Sequence, residues 1–344
     1  MSKVVYLLGA GASYGKRKAP EELTNDDVSL IEEGLPIVSE INEEIEYVIG
    51  IIDSIELDDG NYRLMGKKCE GDDLKEELIS GFEWMLKESS RHATIDTFAK
   101  KLYLKGDNNN YGRLKFLLSS FFFLEQHLHP YDKRYDTFLA NILNMDYALP
   151  NDIFLMTWNY DVQLDLAYRE YNELGLSMVV PTETRRIDPN SRVFKINGSA
   201  NFYGQNYQDT IVISHTNFSI LFTIILNQLS FATRKGYYDG GTSDLLFAWE
   251  KEKYDKMSEM LYKKISDAKV LVIIGYTFPF FNRKIDREIF SNMPNLEKIY
   301  VQDPNADKIK ISLKSILPSD KYTSLLHDED LVYDTSNFFL PPEL

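Results

Sequence analysis

The chain has 344 residues, room for one large domain with an insertion or for two domains. Its 44% hydrophobic, 26% charged and 13% aromatic residues are globular values that exclude disorder over most of its length. A net charge of −15 opposes a nucleic-acid phosphate backbone, a single cysteine excludes an internal disulfide or a four-cysteine zinc site, and five histidines argue against a structural metal.

The chain opens with MSKVVYLLGAGASYG, whose apolar run is too short for a signal-peptide core or a membrane span. A cytoplasmic protein without a membrane segment is expected, and the Asn-x-Ser matches at Asn197 and Asn217 are idle in that setting. Within the opening, Val4 to Leu8 is a β-branched and apolar run ending at Gly9, the pattern of a strand buried on both faces. The stretch from Ile37 to Leu149 is mostly polar with helical periodicity and reads as a helical insertion. It includes an acidic loop at 52–63 and a turn, GDNNNYG, at 106–112.

Strand patterns return at Ile153 to Thr157, Val270 to Ile274 and Lys298 to Val301, and more weakly at Val193 to Ile196 and Thr210 to Ser214. Between them, Asp244 to Asp267 predicts one helix with Leu245, Trp249, Met257, Leu261 and Ile265 on a shared face. Alternating strands and helices imply an α/β fold, a Rossmann-like, doubly wound, mostly parallel sheet. The expected division is a core of 1–36 plus 151–305, a helical insertion at 37–150, and a segment at 306–344 that packs on the core or on a partner.

Two stretches carry chemistry. The run of Gly9, Ala10, Gly11, Ala12 and Ser13 after the first strand lets backbone approach a phosphate, although the third glycine of the dinucleotide fingerprint is replaced by Ser13 or displaced to Gly15. A tight turn with no ligand is the alternative. The second strand delivers Thr157, Asn159 and Asp161 to its carboxyl end, where open α/β sheets bind ligands, or else Asn159 and Asp161 are a helix cap and its neighbour.

Five blocks, Gly9 to Ser13, Gly34-Leu35-Pro36, Thr157 to Asp161, Lys195 to Ser199 and VIIGYTFP at 272–279, occur in the order seen in sirtuin-like NAD-binding domains. The chain resembles the bacterial sirtuin-like proteins of anti-phage defence more than the protein deacylases, over roughly residues 4 to 305. The resemblance implies NAD as ligand, with Ala10, Gly11 and Ser13 at its pyrophosphate and Asn159 and Asp161 at the nicotinamide ribose and carboxamide. Gly275 and Thr277 would meet the adenosine side and Asp303 its ribose, with Gly9, Ala12, Pro36, Thr157, Gly198 and Ser199 completing the site. It also implies NAD hydrolysis to nicotinamide and ADP-ribose, controlled through a homo-oligomer or a second defence protein. Neither a zinc module nor any other metal is expected.

One departure from the family pattern bears on activity. Asn197-Gly198-Ser199 stands where the family has His-Gly-Ser. An imidazole can take a proton from a ribose hydroxyl near neutral pH and an asparagine amide cannot. Asn197 is therefore a ligand contact in a slow hydrolase, the mark of a binding protein that senses NAD or ADP-ribose, or a turn residue. His92 and His215 are the candidate histidines to stand in for it. Asp96 reads as a helix cap or an arginine partner, and NRKIDRE at 282–288 as a solvated helix face.

Overall fold

A computed structural model describes residues 3–15, 34–57, 62–172, 175, 178–179, 191–202, 218–237, 243–250 and 255–344. The chain forms two compact units. The first comprises 1–22, 131–198 and 246–344, and the second 23–130 and 199–245. The sheet unit thus includes residues 131–150 and the whole C-terminal segment, both outside the core boundaries read from sequence.

In the first unit, β1 (Lys3–Leu8), β4 (Ile153–Thr157), β5 (Met178–Val179), β6 (Val193–Lys195), β7 (Ala268–Ile274), β8 (Lys298–Gln302) and β9 (Leu331–Val332) form one sheet in the order β5-β6-β4-β1-β7-β8-β9. Every pairing in it is parallel. The fold is the α/β, Rossmann-like sheet that the strand patterns predict. Side chains of β1 alternate between two cores: Val5 and Leu7 join Phe154, Met156, Leu271 and Ile273 on one face, and Val4, Tyr6 and Leu8 join Leu155, Val270 and Val272 on the other. Burial on both faces is why these strands read as unbroken apolar runs.

Helices cover both faces. Leu261 and Ile265 of α8 (Asp255–Ile265), Ile285 and Ile289 of α9 (Arg283–Ser291) and Ile309 and Leu313 of α10 (Ala306–Leu313) pack on the first core. So does Leu325 of α11 (Ser319–Leu325). Tyr135, Phe138 and Leu139 of α5 (Lys133–Ile142) and Leu164 and Ala167 of α6 (Gln163–Arg169) pack on the second. Leu8 pairs with Thr157 and Ile274, Thr157 with Lys195, and Ile274 with Gln302, so five strands end level at their carboxyl edge. The sheet order reverses at β1, with β4 on one side and β7 on the other, and the loops that follow these strands meet at that switch.

The last residues belong to this unit. Gln302 Nε2 donates to the carbonyls of Asp334 and Asn337, each at 2.6 Å, and Phe338 sits edge-on to Tyr135.

The second unit is built from α1 (Ile41–Asp53), a hairpin of β2 (Tyr62–Leu64) and β3 (Lys67–Cys69), α2 (Gly71–Ser89), α3 (Ile95–Lys105), α4 (Asn108–Leu128) and α7 (Phe218–Lys235). In α1, Ile41, Ile45, Val48 and Ile52 form a buried stripe at helical spacing. The expected turn at 106–112 is shorter, because Asp107 accepts the Asn110 amide and starts α4 within it.

Thr94, not Asp96, caps α3, accepting the Thr97 amide at 3.2 Å. Asp96 makes no hydrogen bond or ion pair among the described residues, and burial pushes its carboxyl up to about 6. A folded pKa above the unfolded value means that stability is fully present below the ordinary carboxylate range and is lost as pH rises through about 6. Asp96→Asn is accordingly expected to raise stability at pH 7.5 by at most about 3 kcal/mol, read as a higher urea midpoint, and to leave the midpoint unchanged at pH 4. Equal gains at both pH values would refute a buried charge as the cause.

Residues 244–250 are not helical, contrary to the expected helix from Asp244; only Asp255–Ile265 is. In the sheet unit, Leu246 donates its amide to the Asn197 carbonyl at 2.7 Å and Glu250 Oε2 accepts the Phe247 amide at 2.9 Å. These local bonds turn the chain where the apolar spacing alone reads as helix. The candidate strand at Thr210 to Ser214 lies outside the described residues.

Candidate functional site at the carboxyl ends of the strands

The β1 loop is a short 3-10 turn, Ala10–Ala12, packed directly on the chain that leaves β7. Gly9 donates its amide to Ile274 O and Gly11 to Gly275 O, both at 3.0 Å. A Cβ at Gly9 would meet Gly275 O at 2.5 Å, and one at Gly11 would meet Gly275 Cα at 2.8 Å. The small residues of this loop are therefore required by backbone-to-backbone packing, whatever else they do. Ala12 and Ser13 give their amides to Gly9 O and Ala10 O, so the amides of Gly11, Ala12 and Ser13 are engaged within the protein.

Asn159 ties β4 to the same loop. Its Nδ2 donates to Gly9 O at 2.8 Å and to Ser13 Oγ at 3.0 Å, while its own amide donates to Thr157 Oγ1. It is a loop clamp rather than a helix cap. Asp161 precedes the helix cap, and its Oδ1 accepts the Gln163 amide at the start of α6. Gln163 Nε2 donates to Ser13 O, and its Oε1 accepts the Asp132 amide.

Sequence reasoning misses two members of this network. Tyr135 brings its hydroxyl to 3.1 Å from Ser13 Oγ; burial, reinforced by the charge of Asp161, holds the phenol well above its usual range. Arg134 donates to Gly11 O at 3.0 Å and through Nε to Asp132 at 2.7 Å. Both residues precede β4 in a stretch that reads only as helix, and the β1-loop residues they meet, Ser13 and Gly11, lie more than a hundred positions away.

Lys195, 2% exposed, ends β6 and directs its ammonium at the Asp161 carbonyl and at the Asp165 carboxylate 3.7 Å away. The chain then turns: Gly198 has φ +71, a left-handed conformation that suits glycine, and donates to Lys195 O. Asn197 is buried in this turn. Its Nδ2 lies 3.3 Å from Trp158 O and 3.4 Å from the Tyr160 hydroxyl, so Asn197 reaches the β4 loop.

The remaining expected residues are dispersed. Gly275 adjoins the β1 loop, but Thr277 is exposed. Asp303 follows β8, where its Oδ1 accepts the Asn305 amide at 2.7 Å and burial raises its carboxyl; that is a helix-entry role. Pro36 and Ser199 belong to the second unit, where both are buried. His92 is also in that unit, stacked on Phe98 with Nε2 3.3 Å from Lys101 Nζ. Burial, with Lys101 beside it, lowers the pKa of this imidazole. His215 lies outside the described residues.

The expected solvated face at 282–288 is partly wrong. Asp286 is 1% exposed and accepts from the Tyr276 hydroxyl at 3.0 Å, and Asn282 Nδ2 donates to that same hydroxyl. Burial pushes the carboxyl well above the ordinary range, opposed by Tyr276, Trp158 and Arg283. Tyr276 stacks on Trp158 at 5.7 Å, linking the chain after β7 to the chain after β4. Ile285 and Ile289 face the core, and Asp286 follows Ile285 inward because Tyr276 supplies a donor.

Among the described residues no group of histidine, cysteine, aspartate and glutamate side chains is placed to hold a metal ion, and no helix is long and apolar enough to cross a membrane. Comparison with protein-family models and with curated proteins finds no match to this chain.

Proposed function

We propose that the carboxyl ends of β1, β4 and β7 bind NAD and that the chain is a sirtuin-like NAD hydrolase. It would act in anti-phage defence under the control of a homo-oligomer or a second protein. The observation that carries this reading is the Asn159 side chain, which joins the β1 loop to the β4 end through Gly9 and Ser13. Two of the blocks in the family resemblance therefore meet in one place, at a switch in strand order, and such switches are where open α/β sheets take ligands.

In this reading the bond between the ribose C1′ and the nicotinamide nitrogen breaks with its electron pair going to nicotinamide, which leaves neutral. A water then adds to C1′ and releases its proton. The positive charge developing on the ribose is favoured by a nearby carboxylate, and Asp161 supplies one. Asn197 cannot accept the water's proton, so turnover is slow.

A second reading is favoured by a specific observation. The amides of Gly11, Ala12 and Ser13 and the Asn159 side-chain amide already serve protein acceptors, as in a loop built to hold its shape. On that reading the chain senses NAD or ADP-ribose without cleaving it.

Nicotinamide release from NAD by the purified chain, alone and with copurifying proteins, separates the two. The hydrolase reading expects slow release and a rise of about 10-fold or more in Asn197→His, the lower range for general-base assistance. Thermal stabilisation by NAD with no nicotinamide released from either protein supports the sensor. Neither stabilisation nor release removes both readings.

A further inference from the structure

A row of aromatic rings leads away from Asn197 within the sheet unit. Tyr160, whose hydroxyl accepts from Asn197, meets Phe247 at 6.4 Å, and Phe247 stacks on Trp249 at 4.8 Å with planes 3° apart. Trp249 is edge-on to Phe281 at 5.4 Å, and Phe281 to Phe280 at 6.4 Å. The row ends in the open: Phe280 is 73% exposed. Four rings hold its loop in place, and the terminal ring leaves most of its surface open.

Arg283 lies over one face of Phe280, 4.9 Å from the ring centre. Among the described residues its buried Nε has no hydrogen-bond partner and the guanidinium makes no ion pair. Asp286, one turn along α9, makes no ion pair with it among the described residues; its carboxyl oxygens accept from the Tyr276 hydroxyl. Arg283 thus presents a fork-shaped donor beside an exposed ring.

We propose that Phe280 and Arg283 form a rim site for a nucleoside 5′-phosphate, with the base stacked on the open face of Phe280 and the phosphate held by the Arg283 guanidinium. Aromatic rings stack on any base, and a guanidinium matches phosphate oxygens in pairs. The net charge of −15 sets the class of ligand further, because a polymer of phosphates is repelled over the whole surface while one or two phosphates can use a local cation. The choice of a nucleotide rests on the reading of the neighbouring strand ends as a dinucleotide site, of which this would be an outer extension or a separate effector site.

The test is calorimetric titration of AMP, adenosine and NAD into the full chain and into Phe280→Leu and Arg283→Gln, with the urea midpoint of each variant checked against wild type. AMP is expected to bind, with affinity falling about 5- to 10-fold or more in each variant. Adenosine should lose affinity in Phe280→Leu alone, since it has no phosphate for Arg283. NAD binding that weakens in both variants identifies the rim as part of the dinucleotide site, and NAD binding unchanged in both makes it a separate one. If AMP binds with these variant effects while NAD neither binds nor is cleaved, the hydrolase proposal fails and the rim site stands. If the wild-type chain ignores AMP, or AMP affinity is the same in all three proteins, the rim site is overturned whatever NAD does.

Discussion

Gly275→Ala is expected to lower the stability of the sheet unit by about 3–5 kcal/mol, read as a fall in the urea midpoint, or to prevent folding altogether. Gly275 has φ +60, where any side chain is strained by about 1–2 kcal/mol. A Cβ there would sit 2.5 Å from Gly11 Cα, Gly11 C and the Ala12 nitrogen. All three are backbone atoms, and the Gly11 amide bond to Gly275 O holds them in place, so no rotamer change relieves the overlap. Gly50→Ala is the control. Its Cβ would meet nothing within 4 Å in α1, and alanine is the better helix former by about 1 kcal/mol, so stability should stay level or rise. Equal midpoints for Gly275→Ala and the wild type would mean that the β1 and β7 loops are not packed together as described.

The largest effect on function is expected at Asn159. Asn159→Ala removes the donor to Gly9 O and Ser13 Oγ, two bonds made in a buried setting. Leaving a buried carbonyl short of a donor costs about 1–3 kcal/mol, which a domain of ordinary stability survives. If the chain is the NAD hydrolase proposed above, nicotinamide release should by contrast fall 100-fold or more, because on that reading the loop that the clamp holds is the one facing NAD. Asn159→Asp is the sharper variant: it keeps the volume but sets a carboxylate against the Gly9 carbonyl, and it should be worse than alanine in stability and no better in turnover. Turnover and NAD affinity within 2-fold of wild type in both variants would take Asn159 out of the site. A loss of stability alone would leave it a purely structural clamp.

The legible part of this molecule was the part built from local patterns. Val4 to Leu8, Ile153 to Thr157, Val270 to Ile274 and Lys298 to Val301 read as strands because burial on both faces makes each a largely apolar run. Helical spacing misled where an apolar period met tertiary hydrogen bonds. Leu245 and Trp249 fit the face of the helix that begins only at Asp255, but the Leu246 amide goes to Asn197 O and Glu250 turns back on Phe247. Asp286 misled in the opposite sense, since a charged run ordinarily faces water, and only the Tyr276 hydroxyl, brought in from the end of β7, makes its burial tolerable.

The amino-acid sequence by itself determined that the chain builds a parallel α/β sheet and that glycine and small residues follow its first strand, because both are properties of short segments. The tertiary structure alone decided what those small residues are for. It set Gly9 and Gly11 against Gly275, gave the Asn159 amide to the loop, and brought Tyr135 and Arg134 beneath it from a helix before β4. Contacts between residues more than a hundred positions apart depend on which strands lie side by side, and strand order leaves no trace in the composition or periodicity of any single strand.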